Sequence, residues 1–521
     1  MNIQGIIDNL FSIQTILALL VGVVGGMIIG ALPGLGSTMG IAILIPVTYS
    51  MEPAPSIIML TAIYTCATYG GSISAILLHT PGTVASAATA ADGYAMTLRG
   101  EGLKAIGVST ISSGLGGFFS AVMLLFLAPP LARASLAFSS AEIFFITLFG
   151  LTIIGSLSAD APAKGWASGV LGLCVAMIGY DVSYGVARYT YHITALESGI
   201  QTVPALIGLF SISQVMIQAE TIKARREHKE EDGEAQVQRA LAGMKGSFWP
   251  TRQEFLAMIP NIIRSGIIGL CVGILPGAGG DIGSWVSYNE AKRFSKDKDS
   301  FGKGNFQGVC ASETANNAVT GGSLVPLLTL GIPGSSAAAV ILGGLTIHGL
   351  IPGHALFTTQ GNITYSIIIG FAIANLLMVV IGVFAAKYVV KVTNVPNDVL
   401  APIIVVLSVI GTYAINLSMI DVYVMAVLGL LGYFMRKFDI PTAPMVLGLI
   451  LGSMAENALN RSISMAKGVN VLIYFSRRPI CIVFFILIII SGFAPAMMKR
   501  LEKKVVGTGR EEANVDMSSD D

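Results

Sequence analysis

Charged residues are scarce in this chain. They make up 12% of its 521 residues, whereas hydrophobic residues make up 53%. A soluble domain of this length carries far more surface charge, so this balance excludes a soluble globular protein. The net charge of +1 gives no sign of nucleic-acid binding. Because the apolar stretches are longer than the strands of an outer-membrane barrel, which are about ten residues long, we predict an all-α polytopic membrane protein.

Several chemical signatures are also absent. The chain has no H-E-x-x-H, no G-x-S-x-G and no Walker loop with its lysine, so we expect neither an enzyme nor ATP-driven chemistry, and no cofactor or resident metal. No lysine or arginine precedes the first apolar run near Ile13, which predicts a retained helix rather than a cleaved signal peptide. The cysteines are spaced singly and are predicted to be packing residues: Cys66, Cys174, Cys271, Cys310 and Cys481.

Four Pro-Gly breaks interrupt long apolar stretches, and they form two matched pairs. GALPGLGS (30–37) matches GILPGAGG (273–280), and LLHTPGT (77–83) matches TLGIPGS (329–335). Proline removes a backbone donor and glycine leaves the backbone uncovered, so the hydrogen-bond ladder of a helix ends there. Inside a bilayer such groups are tolerated only where protein or a water-filled site satisfies them, which is typical of transporters.

The same order of motifs occurs on both sides of a polar segment. GGSISAIL (70–77) is answered by GGSLVPLL (321–328), and VPALIGL (203–209) by APMVLGL (443–449), which indicates an internal duplication. We predict roughly 10 to 12 transmembrane segments. The predicted parts are a first transmembrane repeat (1–218), a cytoplasmic charged linker (219–252), a second repeat with a final helix (253–498) and a cytoplasmic tail (499–521).

Loop charges predict that the two repeats are inverted, because lysine and arginine are enriched in short cytoplasmic loops. After the first break of each repeat, 48–56 has no basic residue and 289–303 has five. After the second break of each repeat the bias reverses, since 97–104 in the first repeat has two basic residues and 351–362 in the second has none. Four basic residues fit this topology poorly: Arg461, Lys467, Arg477 and Arg478.

The third break is predicted to form a re-entrant hairpin. It alone lies between the linker and the basic loop 289–303, which are both predicted to be cytoplasmic. The segment should therefore enter the membrane and return, with PGAGG (276–280) at its tip and arms of about ten residues. A proline-kinked helix that spans the membrane is the alternative.

The breaks are also candidate anion sites. A half-helix that begins after a break points its free N–H groups and the positive end of its dipole at the break. Small hydroxylated residues follow three of the breaks and would give a carboxylate neutral donors: Ser37, Thr38, Thr83, Ser86, Ser335 and Ser336. Close helix packing through small residues is the alternative interpretation.

Acidic and amide residues near the same breaks would supply oxygen ligands for a co-transported cation. Asp281 follows PGAGG, and Glu313, Asn316 and Asn317 lie in ASETANNAVTGG. A helix terminus offers an anion only about 0.3 to 1 kcal/mol, and Arg264 is the single arginine near a break. Neutralising a multiply charged anion therefore requires a cation, which predicts symport with Na⁺ or H⁺. At the interface, Asp281 would be only a solvated charge.

Long motifs carry a resemblance to a known family: GALPGLGS, YGGSISAILLHTPGTVASAATAADGYAM and ANNAVTGGSLVPLLTLGIPGSSAAAVILGGLTIHGLIPG. They resemble the large membrane subunit of the tripartite tricarboxylate transporters over residues 15 to 480. The resemblance implies a multi-pass permease of the bacterial inner membrane for citrate or another carboxylate, with cation-driven uptake. It also implies two partners, a small four-helix membrane subunit and a periplasmic solute-binding protein.

The resemblance implies site residues at the breaks. His79 and Ser312 depart from the family pattern, which has asparagine and proline there. The implied substrate contacts are Gly34, Gly36, Ser37, Thr38, His79, Thr80, Gly82, Gly277, Gly279, Asn316, Asn317, Gly334, Ser335 and Ser336. The predicted cation ligands are Asp281, Glu313, Asn317 and the carbonyls of Pro33 and Pro333.

Three other functions remain open at this point. A stand-alone carboxylate/cation symporter would share the broken hairpins but need no partner proteins. A channel would use freed carbonyls as a selectivity filter. An intramembrane enzyme would use His79 with an acid, although His79 is as readily explained as a packing residue.

Overall fold

The computed structural model describes residues 3–32, 35–134, 138–152, 162–181, 185–227, 247–275, 279–392 and 397–489. Regular structure in these residues is almost entirely helical, which confirms the all-α class. The first half contains α1 Ile3–Phe11, α2 Ile13–Ala31, α3 Gly36–Thr48, α4 Pro53–Leu78, α5 Ala87–Leu98, α6 Gly102–Ala134, α7 Ser140–Thr152, α8 Pro162–Ala176, α9 Thr202–Leu206 and α10 Ser213–Glu227. Shorter pieces are the 3-10 turns Val84–Ser86 and Thr194–Leu196, the π-helical segment Ile207–Ile212 and an antiparallel pair, β1 Gly179–Tyr180 and β2 Ala187–Arg188.

The second half continues with helices of similar lengths. They are α11 Arg252–Ile274, α12 Gly279–Phe294, α13 Phe306–Leu330, α14 Ser336–Ile347, α15 His354–Thr358, α16 Gly361–Val392, α17 Asn397–Asn416, α18 Met419–Lys437, α19 Ala443–Met465, α20 Val471–Ser476 and α21 Pro479–Ile489.

Seven of the described helical segments are long and apolar enough to cross a membrane, so the chain is a multi-pass membrane protein. They are Ile13–Ala31, Pro53–Leu78, Gly102–Ala134, Thr202–Glu220, Arg252–Ile274, Gly361–Phe384 and Met419–Lys437. The helix α13, with 25 residues, is as long as these but carries many polar side chains.

The helices around the third break are longer than the arms of about ten residues that we predicted. The helix α11 has 23 residues and α12 has 16. A capping box explains the early start of α11, because the Thr251 hydroxyl accepts a hydrogen bond from the Glu254 N–H and the Glu254 side chain accepts one from the Thr251 N–H. The ladder then runs past Pro260 to Ile274.

The chain divides into two compact units, and each takes segments from both predicted repeats. The first unit comprises Met1–Ala137 and Ile200–Phe438, and the second comprises Phe138–Gly199 and Asp439–Asp521. The predicted boundaries at 218 and 252 follow the order of motifs along the sequence rather than this spatial grouping, and they stay predictions.

The helices α4 and α13 form the buried centre of the first unit. Almost all of their residues are buried. The helix α2 packs along α4, and α11 packs along α13, while α16 covers α4 and α6 covers α13. The polar side chains of α13 therefore face protein, which is the condition under which such groups are tolerated at membrane depth.

Glycines allow the outer helices to approach this centre at equivalent positions of the two halves. A Cβ atom added to Gly30 of α2 would lie 2.1 Å from the carbonyl oxygen of Ala67. A Cβ added to Gly273 of α11 would lie 2.5 Å from the carbonyl oxygen of Val319. Only glycine permits backbones to pack this closely.

The backbone contacts align the two halves one residue differently from the alignment that the two GGS motifs indicate. A Cβ on Gly70 would meet the carbonyl oxygen of Met27 at 2.4 Å, and the residue with the same contact in the second half is Gly322, at 2.6 Å from that of Leu270. The matching letters of the motif had instead paired Gly70 with Gly321. We therefore align the two halves by their backbone contacts, which pair Gly70 with Gly322, and not by the identity of the motif residues.

The second unit is held by aromatic packing and a buried ion pair. Phe145 and Phe475 pack edge to face with ring centroids 5.1 Å apart. The Arg478 Nη1 lies 2.9 Å from the Oε1 of Glu142, whose side chain is 3% exposed. Arg478, one of the basic residues that fitted the predicted topology poorly, is therefore neutralised by a partner and is weak evidence about a loop's side of the membrane.

Asp92 fastens the helix that follows the second break. It lies in α5, is fully buried, and its Oδ1 accepts hydrogen bonds from the backbone N–H groups of Gly302, Gly304 and Asn305, each at 2.8 Å. Its Oδ2 accepts the hydroxyl of Tyr288 at 2.8 Å. Since Asn305 is the N-cap of α13, Asp92 joins α5 to the start of that helix.

We expect Asp92→Ala to destabilise the protein strongly. It leaves three backbone donors without their acceptor, and a buried unsatisfied donor costs about 1 to 3 kcal/mol, so the total loss is at least about 3 kcal/mol. The measurement is the apparent melting temperature of the purified protein in detergent. Asp299→Ala, which removes the same charge from an exposed position of the loop before α13, is the matched control. Equal melting temperatures for the two variants would contradict this role.

Candidate functional site

The helix ends that flank the first and second breaks contact each other, as do those that flank the third and fourth. The Gly82 N–H donates to the carbonyl oxygen of Gly71 at 3.1 Å, and a Cβ on Gly82 would lie 2.3 Å from the carbonyl oxygen of Gly30. In the second half, a Cβ on Gly334 would lie 2.5 Å from the carbonyl oxygen of Gly273. Gly82 at the second break and Gly334 at the fourth thus pack against the ends of the helices that precede the first and third breaks.

The two halves also contact each other, and each break of one half lies near a break of the other. The helix α3, which follows the first break, packs against α14, which follows the fourth. The helix α12, which follows the third break, packs against the 3-10 turn that follows the second, where a Cβ on Gly280 would lie 3.3 Å from the Cβ of Ala85. The helix segments that flank the four breaks are therefore linked by contacts within the first unit, and we call the place where they meet the interior region.

Hydroxyl groups line the side of this region nearest to α14. The hydroxyl of Tyr64 lies 3.0 Å from the Oγ of Ser323 and 2.7 Å from the Oγ of Ser335. Ser335 is the N-cap of α14, and its side chain accepts the Ala338 N–H at 3.2 Å. The start of α14 is therefore held against α4 by hydrogen bonds between hydroxyl groups, in which either hydroxyl can be the donor.

An unpartnered amide lies on the other side. Asn316 lies six residues before Gly322, as Tyr64 lies six residues before Gly70, so the two are equivalent in the halves. The Nδ2 of Asn316 is buried and has no hydrogen-bond partner, and its Oδ1 would be 2.7 Å from a Cβ on Gly280. A buried donor without an acceptor is available to a ligand.

The helices after the first and third breaks begin alike but differ in charge. Both begin at a glycine in the left-handed region, Gly36 with φ 56° and Gly279 with φ 66°. Two residues later α3 has Thr38, after Ser37, whereas α12 has Asp281. The start of α3 offers neutral donors to an anion, while the start of α12 already carries a carboxylate.

Asn317 has a structural contact. Its Nδ2 donates to the carbonyl oxygen of Thr65 at 3.2 Å and to the Thr65 Oγ1 at 3.0 Å, and the Thr65 hydroxyl donates to the Oδ1 of Asn375 at 2.7 Å. Its Oδ1 has no hydrogen-bond partner. Asn317 therefore joins α13 to α4 where the two central helices meet, and only its oxygen is free for a cation.

Glu313 is fully buried and accepts four hydroxyl hydrogen bonds. Ser72 donates to its Oε1 at 2.6 Å, and Thr89 donates to the same oxygen. Ser109 and Ser113 donate to its Oε2 at 2.9 and 2.8 Å. The carboxylate thus joins α13 to α4, α5 and α6.

The structure brings together most of the predicted substrate contacts and leaves two at the surface. His79 and Thr80 are exposed. Pro33, Gly34 and Gly277 lie outside the described residues. The residues that border the interior region at the breaks are Gly36, Ser37, Thr38, Gly82, Gly279, Asn316, Pro333, Gly334, Ser335 and Ser336.

Sequence reasoning missed Tyr64, Thr65 and Ser323. Tyr64 and Thr65 lie in the long apolar helix α4, several residues from any break, and no motif includes them. Ser323 belongs to the repeated motif GGSLVPLL, but it also lies several residues from a break, and the motif served only to align the two halves. One signal was available, since the duplication places Tyr64 and Thr65 opposite Asn316 and Asn317 once the halves are aligned in the register of the glycine contacts.

Comparisons with known proteins agree with these features. Residues 16–447 match the model of a family described as the tripartite tricarboxylate transporter TctA family. The chain is 36% identical over 448 residues to an Agrobacterium vitis protein described as an uncharacterized 52.8 kDa protein in the TAR-I ttuC' 3'region, covering 86% of this chain and 87% of that protein. It is also 38% identical over 200 residues to an Agrobacterium vitis protein described as an uncharacterized protein in the TAR-II ttuC' 3'region. That match covers 38% of this chain and 83% of that protein. No solved structure gives a significant match.

We expect Gly82→Ala and Gly334→Ala to be poorly tolerated. The added methyl groups would lie 2.3 and 2.5 Å from the carbonyl oxygens of the partner breaks, and overpacking of this kind costs about 1 to 3 kcal/mol. The control is Gly25→Ala in α2, where a Cβ meets nothing within 4 Å. Melting temperature and uptake should fall for the first two variants and not for the control. Stability and uptake equal to the control would show that the breaks are not closed in this way.

We expect His79→Asn to be neutral or stabilising. His79 follows the last residue of α4 with φ 56°, a left-handed conformation that asparagine adopts more readily than most residues. His79→Val should lose about 1 to 2 kcal/mol, because a β-branched residue is strained there. Thermal unfolding and uptake check both variants. A folded His79→Asn variant without transport would show that the imidazole itself is required.

Proposed function

The chain belongs to the tripartite tricarboxylate transporter TctA family, and we propose that it imports a carboxylate as the cation-coupled permease of a binding-protein-dependent system. As a member of that family it is a membrane transporter component of tricarboxylate transport. The observation that carries the finer proposal is the meeting of all four breaks at one interior region.

The chemistry of this region suits a carboxylate. The start of α3 offers backbone N–H groups beside Ser37 and Thr38, and α14 begins at Ser335. The unpartnered Nδ2 of Asn316 adds a donor from the opposite half. Neutral donors of this kind bind carboxylate oxygens while leaving the ligand free to dissociate, as a transport cycle requires.

The charge balance supports coupling to a cation. Arg264, the one arginine near a break, is already engaged, because its Nη2 donates to Asn261 and its guanidinium lies 4.5 Å from the ring centroid of Phe294. Helix ends alone offer too little to desolvate a multiply charged anion. A co-transported Na⁺ or H⁺, with Asp281, Glu313, Asn317 and freed carbonyls as its candidate ligands, supplies the missing positive charge.

The equivalence of the two halves supports the predicted duplication. Gly30 and Gly273 make matching contacts, as do Gly70 and Gly322. The loop charges favour opposite orientations for the halves, and a hairpin that enters and returns at the third break fits those charges. Inverted repeats with broken helices are the architecture in which alternating access is commonly built.

We further propose two partners and a location by family membership. A small four-helix membrane subunit and a periplasmic solute-binding protein would complete the tripartite system in the bacterial inner membrane. A stand-alone symporter is the second candidate, since the interior region contains donors from both halves of this chain.

Uptake in whole cells tests the proposed function. Cells that express the chain, with and without co-expressed partner proteins, are supplied with labelled citrate, isocitrate, aconitate, succinate or malate. We expect at least one of these carboxylates to accumulate against its gradient, only with the partners present, and to stop when the Na⁺ and H⁺ gradients are collapsed. Accumulation without partners would favour the stand-alone symporter. Failure to accumulate any of them, or uptake that ignores both gradients, would contradict the proposal.

A further inference from the structure

Glu313 has an unusual environment for a buried carboxylate. Its side chain is 0% exposed, and all four donors that reach it are hydroxyl groups on three other helices. No lysine, arginine or histidine nitrogen of the described residues forms an ion pair with it. An unpaired carboxylate at membrane depth is costly, and such residues commonly mark ion or proton pathways.

We infer that Glu313 carries the coupling ion of the transport cycle and that this ion is a proton. The inference rests on the proposed function as a cation-coupled carboxylate importer and replaces the open choice between Na⁺ and H⁺. One proton binds a Glu313 oxygen on the side where substrate enters, travels with it, and leaves to water on the other side.

The geometry favours a proton over a metal ion. The Oε2 of Glu313 lies 2.9 Å from the Ser109 Oγ and 2.8 Å from the Ser113 Oγ, which are direct hydrogen-bond distances. Two oxygens that bind a hard cation at about 2.3 to 2.6 Å and at right angles to each other lie about 3.3 to 3.7 Å apart, which is farther than either of these pairs. A metal ion would require the surrounding helices to separate, whereas a proton needs no extra volume.

The hydroxyl groups around Glu313 are compatible with a bound proton because each can change from hydrogen-bond donor to acceptor. A serine or threonine hydroxyl has one hydrogen to donate and two lone pairs, so it can accept from a protonated carboxyl after a rotation. Asp92 provides the contrast within the same unit. Three of its four donors are backbone N–H groups, which cannot accept a hydrogen bond. All four hydrogen bonds of Glu313 can therefore reverse direction, whereas three of those of Asp92 cannot.

Among the described residues, no other buried group around Glu313 is a carboxylate that only hydroxyl groups reach. Tyrosine and cysteine side chains are neutral near pH 7. The charged Lys104 of α6 and Arg264 of α11 are engaged by Glu254 and Asn261. The helix α14 has no titratable residue, and α15, with His354 at its start, lies near the far end of α13. The buried titratable groups on the helices around Glu313 are Tyr64, Cys66 and Tyr69 of α4, Asp92 of α5, Tyr288 of α12 and Cys310 of α13.

Glu313 is also placed to sense the substrate region. It lies three residues before Asn316 on α13, which is about one helical turn. Its partner Thr89 belongs to α5, directly after the second break, and its partner Ser72 follows Gly71, which accepts the Gly82 N–H. Both of these donors to Glu313 thus lie on segments that adjoin the second break, and this position is the proposed link between proton binding and substrate binding.

The test separates exchange from accumulation. Membrane vesicles contain the chain with its partner proteins and are supplied with the labelled carboxylate of the uptake panel that wild type accumulates fastest. We expect Glu313→Gln, which mimics the protonated form, to exchange internal for external carboxylate at a rate near that of wild type. The variant should no longer raise the internal carboxylate concentration above the external one, and an imposed pH gradient should not change its uptake.

A second variant tests the same inference without changing Glu313. Ser109→Ala removes one donor to the ionised carboxylate, so the proton is held more tightly. The pH dependence of uptake should move upward by about one unit, the shift that corresponds to one lost hydrogen bond to a charged group. Ser120→Ala, on the same helix α6, is the matched control, since the buried Ser120 hydroxyl donates to the carbonyl oxygen of Gly117.

Three results would overturn the inference. The first is Glu313→Gln that still accumulates substrate in response to a pH gradient. The second is a Ser109→Ala profile identical to that of wild type, and the third is wild-type accumulation that follows a Na⁺ gradient and ignores pH. The third leaves the proposed transport function standing, whereas wild type that accumulates no carboxylate removes the proposed function together with this inference.

Discussion

The need to satisfy broken backbone inside a membrane governs this structure. Each Pro-Gly break frees N–H and carbonyl groups that lipid cannot satisfy. At the second break the Gly82 N–H donates to the carbonyl oxygen of Gly71 within α4, and Gly82 also packs against the carbonyl oxygen of Gly30, which lies just before the first break. Glycines at Gly30, Gly70 and Gly82 make that approach possible, and their counterparts Gly273, Gly322 and Gly334 repeat it. The helices that follow the breaks then pack against segments of the opposite half, and the interior region lies where these contacts meet.

The two halves agree in backbone and differ in side chains where they meet. Tyr64 has hydroxyl partners in Ser323 and Ser335, whereas its counterpart Asn316 keeps an unpartnered amide. Thr38 and Asp281 occupy matching positions after the first and third breaks. The backbone contacts thus match between the halves, while a few different side chains give the two sides of the interior region different chemistry. One side suits an anion, and the other carries negative charge.

Sequence reasoning predicted the class, the breaks and their pairing, because apolar length and Pro-Gly chemistry are local properties of the chain. It could not predict the register of the halves, which depends on backbone contacts between helices and paired Gly70 with Gly321 instead of Gly322. Arm lengths at the third break were wrong because the capping box of Thr251 and Glu254 starts α11 early. Tyr64 and the partners of Glu313 come from distant segments, so only the fold brings them together.

Substrate protection of two engineered cysteines tests the central claim that both halves form one site. Ser37→Cys, after the first break, and Ser336→Cys, after the fourth, are each placed in a cysteine-free background and labelled with a membrane-permeant maleimide. The transported carboxylate should slow labelling of both with the same concentration dependence, and it should not affect Ser50→Cys in the exposed loop after α3. Protection of only one position, or of neither, would contradict a single site shared by the two halves.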